Sequence, residues 1–536
     1  MSTEVHFAQF MPELVLLIGA CTTLIVGATK ASRERTWVSG LTFLVVGLAL
    51  FETIRRGAPE ETYAAFGLSI TPLAYYTRLI TLSVGLLIVL VNWRQPVALE
   101  RGEYMGLIMF SLLGLLITGL ANDWLVLFFA IELVSVPTYV LIALSRLNKR
   151  ASEASVKYFF LGALSAAILA YGLSFLYGVS GTTTILNVGP AGAFSYMPVG
   201  QDLGPLALIG LLLVIGGLAF KVAAVPFHVY APDVYEGAAS PITGMLGFVP
   251  KLAGFVALIK VMIALRWDLP IEVCWLLWAL AALTMTVGNV LALLQSNVKR
   301  MLGYSSIAHT GYMMIALLVG PVAGRGPMHD GVAALLFYVA VYGAMNLGAF
   351  ALLATMQKGE NDTETLDDIA GIARRAPAAT LALAVCVFSL MGFPPTAGFL
   401  GKLYVFSSAF SVPSGHAFHG PLIALAVIGV INSAIAAAYY LRIVGAAYMN
   451  TEVEVSRSVG GVPVRLGLGL CALPILVLFA WPAPLMEKAR SASYAIETNI
   501  LRDLNRSQST SIATPGEDVL RDSALQSSKP PAPSPR

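Results

Sequence analysis

From Met11 to Trp481 the chain runs as a succession of apolar stretches separated by short polar gaps. A helix needs about 20 apolar residues to cross about 30 Å of hydrocarbon, and most of the stretches reach that length. The pattern therefore predicts about fourteen membrane-spanning helices, centred near Leu17, Val45, Gly85, Leu113, Leu133, Ala167, Leu213, Ala253, Leu283, Met313, Tyr342, Val387, Val430 and Leu473. The expected fold class is an all-α polytopic membrane protein. From about Glu497 the chain turns polar and ends in SSKPPAPSPR, too poor in apolar residues to fold alone, so residues 497–536 are expected to form a disordered tail. The first apolar run follows Glu4 and His6 without a basic region or a small-residue cleavage site, so it is expected to be retained.

Composition narrows the class. Of the 536 residues 57% are hydrophobic and only 12% charged, with a mean hydropathy of +0.78. Globular domains carry roughly 25% charged residues, so a string of soluble domains is excluded. The 33 Lys and Arg against 30 Asp and Glu leave a net charge of +3, which gives no footprint for nucleic acid. Where the cations fall says more. With an outward-facing N-terminus, the inner loops carry Lys30, Arg33, Arg35, Arg94, Arg101, Arg146, Lys149, Arg150, Lys299, Arg300, Lys358, Arg374, Arg375, Arg457 and Arg465, and the outer ones only Arg55, Arg56, Arg266 and Arg325. That asymmetry matches the positive-inside rule and puts both termini on the outer side.

Redox and nucleotide chemistry are not encoded. Cys21, Cys274, Cys386 and Cys471 lie far apart, each inside an apolar run, with no C-x-x-C pair and no histidines at metal spacing. Neither a G-x-G-x-x-G after a strand nor a P-loop is present. No cofactor and no metal are expected in this chain.

The informative residues are charges stranded in the spans, where an ionised group costs about 2.5–3.5 kcal/mol even on the lenient insertion scale. Glu132, in DWLVLFFAIELVSVPTYVLIAL, falls near mid-depth with nothing local to neutralise it. Lys221 precedes Pro226, whose missing N–H and ring clash interrupt the helix and free carbonyls beside the ammonium. Irregular backbone at membrane depth is tolerated where it is buried in protein or lines a wet cavity, which points to ion handling. Lys251 follows Pro250 roughly half-way through its span, too deep to snorkel; Lys260, nine residues on, is near enough to the end to do so. Lys402 lies among Pro394, Pro395, Gly398 and Gly401, again a lysine beside a discontinuity, and two such sites suggest an internal repeat. Lys157 opens its span, as an interfacial anchor or as an offset to Glu132. His309 titrates near neutrality when unperturbed and suits proton relay, or a hydrogen-bonded structural role. Arg78 and Arg442 do not readily give up a proton and read as ion-pair or structural partners.

These segments resemble the antiporter-like membrane subunits of respiratory complex I, the proton-translocating NADH:quinone oxidoreductase. The resemblance runs from about Pro12 to Trp481 and rests on FFAIELVSVPTYVLIAL, SEASVKYFFLGALSAAI, FKVAAVPFHVYAPDVYEGAASPITGML, VKRMLGYSSIAHTGYMM and GFPPTAGFLGKLYVF, in that order. AASPITG stands where related chains often have APTPVTA. The long lateral helix that one branch of the family carries after its core is not expected, since only a short polar tail follows Trp481. The resemblance implies three N-terminal helices over residues 1–103 and two inverted five-helix repeats with discontinuous helices over 104–265 and 266–450. A last helix and its flank follow over 451–496, then the tail. It further implies that Glu132 pairs with Lys221, that Lys251 lies centrally, that Lys402 leads to the outer exit and that His309 stands between the last two. NADH, FMN, iron–sulfur clusters and quinone would belong to partner subunits. The implied partners are the other membrane subunits of the complex and, through them, its peripheral redox arm, with the chain embedded in a bacterial inner-membrane bilayer. A subunit of a multi-subunit sodium/proton antiporter is the alternative.

Overall fold

In hydrocarbon every backbone polar group has to be satisfied within its own segment, so long apolar runs fold as helices. The computed structural model describes residues 8–27, 37–59, 62–93, 101–146, 148–185, 204–322, 326–358, 361–362, 364–449, 457–458 and 461–512. In chain order the helices are α1 (Met11–Gly27), α2 (Trp37–Arg56), α3 (Pro72–Val91), α4 (Arg101–Leu120), α5 (Trp124–Ser145), α6 (Lys149–Ser180), α7 (Pro205–Lys221), α8 (Ala231–Gly237), α9 (Ser240–Leu246), α10 (Val249–Ala264), α11 (Ile271–Leu293), α12 (Val298–Val319), α13 (Gly331–Thr355), α14 (Pro377–Met391), α15 (Ala397–Ser408), α16 (His419–Met449), α17 (Gly461–Ala480) and α18 (Ala483–Ile512). Among the described residues eleven helical segments are long and apolar enough to cross a membrane, and α1, α7 and α14 are shorter apolar helices. Each of the centres read from hydropathy falls inside one of these helices. Lys30, Arg33, Arg35, Arg94 and Arg325 of the charge count lie outside the described residues.

Short polar side chains set the helix starts. Thr71 accepts from Ala74 N–H ahead of Pro72, Asp123 from Leu125 and Val126 N–H, Asn148 from Ala151 N–H, Asn297 from Arg300 N–H and Asp330 from Ala333 N–H. Each satisfies an N–H that the first helical turn leaves without a partner. Strands are confined to connecting segments. The hairpin β1 (Tyr63–Ala65) and β2 (Leu68–Ile70) turns through Phe66 and Gly67, both at positive φ, as a two-residue hairpin requires. At other connections β3 (Met356–Lys358) pairs with β4 (Asn361–Asp362) and β5 (Arg457–Ser458).

Burial sorts the helices. Every residue in the most apolar window of α13 is buried, as is 94% of the window through α9 and α10, against 33% for α2, α6 and α17. A helix apolar all round and buried all round is central; one with only a third of its residues buried faces lipid or a neighbouring protein. A buried ion pair joins two of the N-terminal helices. Arg78 of α3 donates from Nε to Glu13 Oε1 (2.7 Å) and from Nη2 to Oε2 (2.9 Å), a bidentate bridge that ties α1 to α3 and agrees with the reading of Arg78 as an ion-pair partner.

The C-terminal region differs from expectation. α18 follows α17 directly and continues past Glu497, where the tail was expected to begin, as far as Ile512; residues 513–536 lie outside the described ones. Its polar composition hides a stripe at helical spacing: Met486, Ala489, Ala492, Ser493, Ile496 and Ile500 are buried, and α18 packs on α13 and α3. Ser493 Oγ donates to Asp330 Oδ1 (2.7 Å) at the start of α13. Desolvation pushes the Asp330 carboxyl up to about 6, against the hydrogen bonds from Ala333 N–H and Ser493, which pull it down.

Candidate functional site

The first interruption starts at Lys221. α7 ends on this residue, and the chain passes through Ala223 at positive φ and a cis Val225–Pro226 bond before α8 resumes. The backbone groups set free by the break have side-chain partners. Thr310 donates to Val222 O (2.7 Å), Tyr230 to Phe220 O (3.0 Å), and Val225 N–H donates to Thr284 Oγ1 (2.9 Å). The Lys221 ammonium, 4% exposed, therefore sits at the carbonyl end of α7, where the helix dipole favours a cation. It donates to Glu132 Oε1 (2.8 Å) and to Ser135 Oγ (2.9 Å), both on α5. Glu132 and Lys221 thus form an ion pair, and Glu132 keeps 20% of its side chain open.

The second lysine lies across a small cavity. Lys221 and Lys251 both line it, with Tyr158, Tyr230 and Tyr235, and its volume of about 10 Å³ is on the order of one water. Lys251, near the start of α10 and 2% exposed, donates to Ser306 O on α12 and has the Tyr342 ring 5.5 Å away. The Ser306 hydroxyl is shared: Tyr342 OH donates to it (2.8 Å) and Tyr235 OH stands 3.0 Å from it. One turn on, His309 is held at both ring nitrogens, Nδ1 2.6 Å from Tyr338 OH and Nε2 3.0 Å from Tyr440 OH, which also bonds Ser305. A neutral imidazole donates from one nitrogen and accepts at the other, so exchanging tautomers carries a proton from one hydroxyl to the other.

The second interruption mirrors the first with the lysine on the other side. α14 ends at Met391, the chain turns through Gly392 and a cis Pro394–Pro395 bond, and α15 carries Lys402 after the break rather than before it. Lys402, 4% exposed, reaches back to donate to Met391 O at the carbonyl end of α14 (2.9 Å) and to Ser433 Oγ (2.8 Å), with the Tyr312 ring 5.0 Å away. Tyr312 OH in turn accepts from Asn289 Nδ2 (2.9 Å). No carboxylate is within ion-pair distance of Lys251 or Lys402 among the described residues. Gly392 holds this corner at φ 83°, and a Cβ placed on it would stand 2.8 Å from Lys402 Cδ. Gly392→Ala therefore strains a left-handed residue by about 1–2 kcal/mol and displaces the ammonium. The expected outcome is a lower thermal-unfolding midpoint with every titratable residue intact, measured on the detergent-solubilised protein; an unchanged midpoint contradicts this packing of Gly392 against Lys402.

Other expectations fare unevenly. Lys157 is not beside Glu132: it stands 2.7 Å from Glu153 and 3.0 Å from Asp233, 44% exposed, in a surface network. Arg300 joins that network through Asp233 (2.9 Å) and Glu236 (2.8 Å). Arg442 donates to Leu293 O (2.9 Å). Lys260 does not snorkel; it is buried beneath α18. Hydropathy gave no hint of the hydroxyl set of Tyr235, Tyr338, Tyr342 and Tyr440. The one available signal was the spacing of Tyr338 and Tyr342, which puts both on one face of α13. The four cysteines are free, and among the described residues no group of three or more His, Cys, Asp or Glu is placed to hold a metal ion.

Comparison with known proteins places this geometry in a family. Residues 121–435 match the profile described as NADH:quinone oxidoreductase/Mrp antiporter, TM, which takes in both interruptions. The chain is 35% identical over 491 residues to NADH-quinone oxidoreductase subunit N of Trichlorobacter lovleyi, covering 91% of this chain and 97% of that one. It is 34% identical, with the same coverage, to subunit N of Paramagnetospirillum magneticum. Among solved structures, a chain of respiratory complex I from Thermus thermophilus with bound aureothin superposes with a TM-score of 0.72 at 29% identity, covering 89% of this chain and 98% of that one. A chain of the Mrp complex from Dietzia sp. DQ12-45-1b has the same fold at 17% identity, with a TM-score of 0.76 over 92% and 99% of the two chains. The chain belongs to the NADH-quinone oxidoreductase subunit N family, the antiporter-like membrane subunits of respiratory complex I.

Proposed function

We propose that this chain translocates protons across the membrane within NADH:quinone oxidoreductase, driven by electron transfer carried out in partner subunits. NADH, FMN, iron–sulfur clusters and quinone belong to those partners; this chain supplies the proton path. The fourteen apolar helices form an N-terminal trio, two inverted five-helix repeats and a last helix, with both termini outside by the positive-inside reading. Each proton moved against 100 mV costs about 2.3 kcal/mol, so the path has to be coupled to an energy source outside this chain.

The reading is carried by one observation: the titratable groups that hydropathy singled out form a buried line. Glu132 and Lys221 are paired at 2.8 Å, Lys221 and Lys251 line one water-sized cavity, Lys251 donates to Ser306 O, and His309 stands one turn on along α12 with its ring 5.0 Å from that of Tyr342. Burial favours neutral lysine, and a carboxylate partner favours the charged form. Separating Glu132 from Lys221 therefore inclines Lys221 to give its proton up. The cavity water receives it and passes it to a neutral Lys251. From Lys251 the proton moves by way of the Ser306 and Tyr342 hydroxyls to His309, and from His309 to Lys402 and the outer side. Lys157 and its carboxylate neighbours serve the inner approach.

Isolation of the chain from its native membrane in mild detergent tests the assignment. The expected product is a large assembly that oxidises NADH with quinone and contains this chain in unit stoichiometry. An assembly that exchanges sodium for protons without oxidising NADH supports the antiporter alternative instead, to which the shared Mrp fold gives its place.

A further inference from the structure

Lys260 has no part in the line from Glu132 to Lys402, yet on α10 it is only 4% exposed, enclosed like the lysines of that line. Its ammonium has no hydrogen bond or ion pair among the described residues. Desolvating an unpaired ammonium is costly, so a lysine in this position calls for a counter-charge or for loss of its proton. Lys260 lines a cavity of about 40 Å³ together with Ser69, Thr71, Asn122 and Asn499. Among the described residues it is the one ionisable member of that lining, so no carboxylate there neutralises it.

What the wall offers instead is hydrogen-bond donors. Thr71 Oγ1 accepts from Ala74 N–H (3.1 Å), which leaves the hydroxyl proton to donate elsewhere. Ser69 Oγ reaches Leu120 O only at 3.5 Å, the far limit of a hydrogen bond. Asn122 and Asn499 each bring an amide with two N–H groups. Thr71, Pro72 and Leu73 of the wall are also the start of α3, so the positive end of a 20-residue helix adjoins the same space. A cation, a helix N-terminus and four neutral donors around one cavity make a place for negative charge. The volume, on the order of three waters, admits a monatomic anion with a water beside it and is too small for a phospholipid headgroup.

We propose that this cavity binds a small monovalent anion, a halide, with the Lys260 ammonium as its counter-ion. The bound ion ties four parts of the chain together: α10 through Lys260, the start of α3 through Thr71, the connection between α4 and α5 through Asn122, and α18 through Asn499. α18 gains most, because Ala492, Ala495 and Ile496 are its share of the cavity wall and its polar anchor one turn away, Ser493 on Asp330, is a single hydrogen bond. The proton path from Glu132 to Lys402 makes no use of this site, so the two readings stand or fall separately.

The test is amide hydrogen exchange of the intact complex, dialysed into sodium gluconate and compared with sodium chloride and sodium bromide at the same ionic strength, read by mass spectrometry on the α18 peptide that contains Ser493 to Ile500. Chloride and bromide are expected to slow exchange there saturably, by about tenfold at ten times the dissociation constant, because an ion that binds only the covered state holds that state in place. Gluconate is too large to enter and is expected to have no such effect. Lys260→Met is expected to abolish the halide response. Asn499→Asp places a carboxylate in the cavity wall, and this built-in counter-charge is expected to slow exchange in gluconate already, with no further slowing by chloride. Equal exchange of the wild type in chloride and gluconate overturns the site and leaves a neutral, hydrated lysine. A halide response that persists in Lys260→Met overturns it too, since the ion then acts elsewhere. Should Lys260→Met not assemble, Asn499→Asp decides: a halide response of wild-type size in that variant removes the proposal.

Discussion

Lys251→Ala is expected to remove the proton flow proposed for this subunit, so that the assembled enzyme moves fewer protons per NADH oxidised. The size of the effect follows from position. Among the described residues Lys251 is the one lysine between the cavity beside Lys221 and the Ser306 and Tyr342 hydroxyls, and no carboxylate stands within ion-pair distance to take over its role. Hydroxyls alone do not bridge the gap, because a buried tyrosine or serine releases its own proton only at great cost. The scaffold around the vacated site keeps its bonds: Tyr235 and Tyr342 still meet on Ser306, and Tyr342 still reaches Asn346. Loss of pumping is thus expected without loss of assembly. Lys251→Arg is expected to fail as fully as Ala, since a guanidinium keeps its proton under all relevant conditions. The measurement is acidification of proteoliposomes against NADH consumed, in the presence and absence of an uncoupler. An Ala variant with the wild-type ratio contradicts the path.

How much of this could be read from the chain alone has a physical pattern. Glu132, Lys221, Lys251, His309 and Lys402 stood out because hydrocarbon penalises charge so heavily that an ionisable residue inside a span is conspicuous against any background. The interruptions stood out through Pro226, Pro394 and Pro395, which no continuous helix accommodates without loss of a hydrogen bond. What closes those interruptions did not. Thr284 and Thr310 bond backbone groups 59 and 88 residues away, and such contacts leave no mark on a local pattern. The tyrosines were equally silent, because buried tyrosine is common in cores and at membrane interfaces. α18 was misread for a different reason. Its buried stripe uses alanine and serine beside isoleucine, so average polarity outweighed a periodicity that was present from Met486 to Ile500. Lys260 was misread as a consequence: a lysine one turn from a helix end snorkels only if nothing covers that end, and α18 does.

Glu132 and Lys221 offer a sharper separation of structure from function than any single lysine. Breaking a buried ion pair by removing one partner costs up to about 3–5 kcal/mol, whereas replacing both by neutral groups is often close to neutral. The two partners are unequally enclosed, with side-chain exposures of 4% for Lys221 and 20% for Glu132. The charge left behind by Glu132→Gln is the enclosed ammonium, held then by neutral acceptors only, the amide oxygen, Ser135 and the end of α7; the charge left by Lys221→Met is a carboxylate with some access to water. Glu132→Gln is therefore expected to lower the thermal stability of the purified assembly more than Lys221→Met does. The double variant, which strands neither charge, is expected to regain most of the loss. Proton movement behaves differently: all three variants are expected to pump poorly, because the step at issue is a change in pairing and none of them has a pair to change. Thermal unfolding and protons per NADH, measured on the same preparations, would then part company in the double variant, with stability restored and pumping still absent. Recovery of both together would mean that the pair merely holds α5 against α7, and that the proton enters by another route.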